Sequence, residues 1–161
     1  MSQALTKEFD ISHKKRPKGY LALRVGGKGS DINHPITEID AVLKSKGFAY
    51  FAKFGKSVGR IRGEKLLAKT EPYLVILCFN GGKYDSKTYK LLELTKSQPK
   101  NASHYPKYYK DKLAFVGSWL KIEPSDLQVN VDSLIVTSSY QKLSKVMGSA
   151  MGSCFFCTTN S

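Results

Sequence analysis

The chain has 161 residues, 41% hydrophobic and 24% charged, the balance of one soluble globular domain with no room for two of ordinary size. No run of about 18 apolar residues is present to cross a membrane as a helix, and residues 1–18 are polar and basic, without the apolar centre of a secretory leader. Three cysteines are too few for a disulfide framework and point to a reducing compartment, the cytoplasm. Lys and Arg number 26 against 13 Asp and Glu, a net charge of +13.

The excess is uneven. Residues 44–69 carry +7, 83–112 carry +5 and 1–19 carry +3, whereas 113–161 is neutral. Clustered positive charge attracts a polyanion at long range, and nucleic acid is the commonest such partner.

In chain order, residues 1–18 show no period, are interrupted by Pro17 and are expected to form a basic, flexible arm. A single domain over 19–161 follows. A strand is expected over 20–25, then a breaker-rich loop over 26–31. Thr37 suits the N-cap of a helix with Ile39, Val42 and Leu43 at helical spacing, ended at Gly47. Residues 48–54 read as an aromatic strand, 55–63 as a basic loop and 64–69 as one helical turn. The run 73–79 is the strongest strand, and Asn80-Gly81-Gly82 turns it into a partner over 87–94. Residues 97–112 read as a long polar, Tyr/Lys-rich connection. Strands over 114–122 and 154–157 follow, with an apolar stretch at 134–136 and a helix over 141–147 between them. Many strands with two or three short helices indicate an α+β fold built on a curved mixed β-sheet or small β-barrel.

Cys154 and Cys157 are spaced as CxxC, but no second such pair exists, and positions three apart on a strand point to opposite faces. They read as structural or free thiols, so no metal and no cofactor is expected. Gly55-Lys56-Ser57 has the ending of a phosphate-binding P-loop, yet the glycine required five residues earlier is Tyr50. The same residues still suit looser phosphate contact, with Lys56, Arg60 and Arg62 supplying charge. Tyr50, Phe51 and Phe54 alternate with Lys53 and Lys56, a pattern suited either to base stacking beside phosphate-binding cations or to simple packing. Strand alternation puts Phe51 on one face with Lys53. The lone Trp119 is either packed or lines an aromatic pocket. No close carboxylate pair or His-centred constellation asks for catalysis.

The order of these features resembles the PUA-like superfamily, in particular its EVE and YTH-like branches, over residues 20–26, 48–53 and 115–122. The resemblance implies a curved, barrel-like sheet that binds nucleic acid and accepts an unpaired or flipped, often modified, base in an aromatic pocket. It places that pocket between Arg24, Gly26 and Gly27 on one side and Phe51 and Lys53 on the other, with Trp119 near the mouth. The expected function is therefore nucleic-acid binding, to DNA or RNA. The alternatives are a protein-binding or inhibitory module aimed at a nuclease or other nucleic-acid enzyme, and a small enzyme acting on a nucleotide.

Overall fold

The computed structural model of the chain describes residues 16–25, 35–80, 83–149 and 154–159. Most of the expected arm, the loop after the first strand with Gly26 and Gly27, and the centre of the 80–82 turn lie outside the described residues.

Among the described residues, seven strands form one mixed sheet: β1 (Lys18–Val25), β2 (Ala49–Phe54), β3 (Glu71–Asn80), β4 (Lys83–Thr95), β5 (Val116–Pro124), β6 (Leu134–Val136) and β7 (Cys154–Thr159). Their order is β2-β5-β4-β3-β1-β7-β6. Only β1 and β3 run parallel; the other neighbours are antiparallel. Helices α1 (Pro35–Lys46) and α2 (Arg60–Lys69) flank β2 in the crossover between β1 and β3. Helix α3 (Leu143–Ser149) precedes β7.

The unbroken apolar run of β3 follows from its place near the middle of the sheet. Leu74, Ile76 and Cys78 face one core with Leu21 and Leu23, while Tyr73, Val75 and Leu77 face another with Tyr20 and Ala22. A strand buried on both faces has no polar side to present. The first core is completed by Ile39 and Leu43 of α1, Leu66 of α2, Phe51 of β2, and Leu120 and Ile122 of β5. The second is closed by Leu134, Val136, Leu143 and Met147.

The sheet curls strongly. At about 4.8 Å per strand, β2 and β7 would stand roughly 24 Å apart in a flat sheet. Instead Lys53 and Phe54 of β2 line one cavity together with Cys154, Phe155 and Phe156 of β7. Cys154 and Phe156 also pack on the same core as Phe51.

Two expected segments differ. Helix α2 spans ten residues and begins at Arg60, so the basic stretch is only partly loop. Gly63, which reads as a breaker, is buried within the helix, where an added Cβ would come within 3.0 Å of Leu94. Tight packing on β4 overrides its low helix propensity. The connection over 97–112 contains two 3₁₀ segments, Ala102–His104 and Lys107–Phe115. The second displaces the start of β5 to Val116. These segments put Tyr105 and Tyr109 over Ala52 and Trp119 to form a third, aromatic cluster.

Candidate functional site

β2 is an edge strand, and its alternation sorts its side chains. Phe51 joins the main core, whereas Tyr50, Ala52 and Phe54 join the aromatic cluster. The backbone N–H of Ala52 donates to the Tyr109 hydroxyl at 3.3 Å, so the tyrosine covers part of that edge. Tyr109 is fully enclosed, and burial holds its phenol well above the ordinary value.

Two cavities meet at the end of β2. The first, about 410 Å³, is lined by residues including Arg24, Phe51, Lys53, Tyr108 and Lys112. The second, about 690 Å³, is lined by residues including Lys53, Lys56, Ser57, Arg62, Cys154 and Phe156. Lys53 and Phe54 belong to both walls. The cations around the two spaces are Arg24, Lys53, Lys56, Arg62 and Lys112, and no Asp or Glu stands among the described lining residues.

Lys53 is only 8% exposed. Its ammonium donates to the backbone carbonyl of Lys56. The ion pairs found among the described residues, Arg60 with Glu64 and Lys121 with Glu93, do not include it. An ammonium has three donors, and burying its charge is costly without a counter-charge. Arg24 is held in place: its guanidinium donates to the Met147 carbonyl at 3.0 Å and lies 5.7 Å from the centre of the Phe155 ring.

The loop between β2 and α2 is pinned onto β5. Gly55 has φ +84°, open to glycine, and its N–H donates to the Phe115 carbonyl at 2.8 Å. The Val58 N–H donates to Ser118 Oγ at 2.8 Å. Beneath the loop lies Gly117, where an added Cβ would stand 2.2 Å from the Gly55 carbonyl oxygen. The loop ends at Gly59, the N-cap of α2, which makes no side-chain cap, and the first turn has no acid. The helix therefore begins without a carboxylate to compete for its leading N–H groups.

Comparison with protein-family models, with curated proteins and with solved structures finds no match for this chain. The site is thus read from its own geometry.

That geometry brings Arg24, Phe51 and Lys53 to one cavity, and Lys53, Lys56 and Arg62 to the next. Three residues expected at the site stand differently. Arg60 does not join the cations: it pairs with Glu64 at 3.0 Å and lines a separate hollow with Gly63 and Leu94. Two residues apart on a helix are turned about 200° from each other, so Arg60 and Arg62 diverge once the segment is helical. Phe51, 2% exposed, lines the first cavity while packed in the main core. Trp119, also 2% exposed, packs within the aromatic cluster, its ring tilted 5.1 Å from Tyr105 and edge-to-face 6.0 Å from Tyr109. Both rings are packing residues because the face each occupies is covered, Phe51 by α1 and α2 and Trp119 by the 3₁₀ segments.

Sequence reasoning missed Lys112 as a lining residue. Tyr105, Tyr108 and Tyr109, with Lys107 and Lys110, read from the sequence either as flanks of a groove or as loop decoration, and Tyr108 lines the first cavity. The cysteines of β7 face opposite sides, Cys154 toward the main core and Cys157 toward the second. Burial raises the Cys154 thiol against the opposing charge of Lys53, and burial pushes Cys157 up to about 12. Among the described residues no three His, Cys, Asp or Glu side chains converge as metal ligands.

Proposed function

We propose that this chain is a nucleic-acid-binding domain, with phosphate held at Lys53, Lys56 and Arg62 and a base received in the cavity between Arg24 and Tyr108. The supporting observation is Lys53: a lysine only 8% exposed on the shared wall of two cavities, with no carboxylate ion-paired to it among the described residues. An incoming phosphate would supply the missing counter-charge. The start of α2, with no acid in its first turn, adds a dipole of the same sign. Tyr108, half-buried at the first cavity, is more exposed than Phe51 and Trp119; its ring packs edge-on against Tyr109, with the Lys112 ammonium 5.9 Å from its centre.

This reading retains the PUA-like architecture as a proposal: the curled sheet brings the end of β1 to β2 as such barrels do. Titration of labelled single-stranded and duplex DNA and RNA at several salt concentrations tests it. Binding with a negative slope of log affinity against log salt is expected. The double variant K56A/R62A should weaken binding and flatten that slope. Absence of binding to every oligonucleotide at low salt overturns the reading.

A further inference from the structure

A third cavity, about 410 Å³, opens where α2 crosses the start of β1 and the end of β7, lined by residues including Lys18, Leu66, Lys69, Phe156 and Thr158. It shares Arg62, Ser138 and Phe156 with the second cavity. Its floor includes Gly19, Leu66 and Cys157, which are buried; its rim is Lys18, Arg62, Lys65 and Lys69, all exposed. No Asp or Glu stands among its described lining residues.

The spacing on α2 explains the rim. Arg62, Lys65, Leu66 and Lys69 fall at i, i+3, i+4 and i+7, one face of a helix. At 1.5 Å per residue, the cations from Arg62 to Lys69 extend over about 10 Å along the axis. The three cavities are neighbours that share wall residues, Lys53 and Phe54 between the first two and Arg62, Ser138 and Phe156 between the second and third, so their cations trace a track from Arg24 to Lys69. The third has an apolar floor beneath that charged rim. A flat heterocycle fits the floor and its phosphate fits the rim. A duplex, whose bases are stacked and paired, offers no base to such a floor.

We propose that this third cavity is a second nucleotide subsite, which receives a neighbouring residue of the same single strand held at Lys53. The inference rests on the nucleic-acid reading above. It commits to a single-stranded polynucleotide, because cations line all three neighbouring cavities and the third adds an apolar floor beneath its charged rim.

The test is fluorescence anisotropy with end-labelled single-stranded oligonucleotides of two, four and eight residues. The wild-type chain is compared with K65A/K69A, whose two positions are exposed and lie outside the first two cavities. Circular dichroism confirms that the variant is folded. Wild-type affinity is expected to rise with length. The variant should match wild type on the dinucleotide, lose the gain on longer strands, and show a salt slope on the octamer smaller by about 1.4, at about 0.7 per phosphate contact. Equal behaviour of the two proteins at every length overturns the second subsite while leaving the nucleic-acid reading intact. Equal loss at every length, dinucleotide included, also overturns it. If no strand binds the wild type at low salt, both readings fall. If only an acidic peptide such as oligoglutamate binds, the track serves a protein partner and the subsite is rejected.

Discussion

Gly117 and Gly55 touch backbone to backbone: a Cβ at 117 would lie 2.2 Å from the Gly55 carbonyl oxygen and 2.7 Å from Lys56 and Ser57 main-chain atoms. The loop that carries Lys56 therefore has its position set by a missing side chain on the neighbouring strand. Gly117→Ala is expected to push the loop outward and cost roughly 1–3 kcal/mol, the range for overpacking. It should weaken oligonucleotide binding as well, because the Lys53 contact to the Lys56 carbonyl is disturbed. Chemical denaturation and anisotropy on the same sample check this; unchanged stability and unchanged affinity would contradict it.

Ser118 makes a separable contribution. Its Oγ accepts the buried Val58 N–H at 2.8 Å. Ser118→Ala leaves that donor without its partner, at a cost of about 1–3 kcal/mol. The loss should appear in the denaturation midpoint and in faster hydrogen exchange at Val58.

Phe51→Ala and Trp119→Ala are expected to destabilise the fold by roughly 3–5 kcal/mol each, the cost of emptying a packed aromatic site. Their oligonucleotide affinity, measured under conditions where they remain folded, should stay near wild type. Tyr108→Ala should weaken binding and cost less stability than either, because its ring is only half-buried against the aromatic cluster. A stable Trp119→Ala variant with lost affinity would restore Trp119 to the pocket.

Alkaline pH should unfold this protein more readily than neutral pH. Burial raises Tyr109, Tyr89 and Tyr73, the last to about 12, from an ordinary value of 10.0, and the Tyr89 hydroxyl donates to Asp40 at 2.8 Å. A phenol raised in the folded state holds its proton more tightly there than in the unfolded chain. Its contribution is complete below pH 10 and is lost as pH rises toward the folded value. Stability should therefore decline above about pH 10, and more gently in Tyr89→Phe than in wild type. A flat profile between pH 9 and 11.5 would contradict the burial of these phenols.

Cys154 reports occupancy of the second cavity. It is partly exposed on that wall, whereas Cys78 and Cys157 are buried. Maleimide labelling of the native protein should modify Cys154 ahead of the other two, and saturating oligonucleotide should slow it. Labelling unaffected by an oligonucleotide that binds would place the ligand elsewhere.

Much of the fold was legible because its physics is local. The apolar run of β3, the helix spacing of α1 and the alternation in β2 each determine a structure type from neighbouring residues alone, and together they determined an α+β chain with a mixed sheet. The charge blocks likewise predicted cations in the middle of the chain, since a lysine-rich segment is basic whatever its partners. Which of those cations converge was decided by tertiary structure. Arg60 and Arg62 are equivalent as letters, and only the start of α2 at Arg60 turns one toward Glu64 and the other toward the cavity. Phe51 and Trp119 have the composition of a stacking platform, but burial is a property of what packs against them. The covering 3₁₀ segments come from a stretch that reads as polar loop. The juxtaposition of Lys53 with Cys154, about a hundred residues apart in the chain, arises from the curl of the sheet, which depends on packing summed over all seven strands rather than on any one of them.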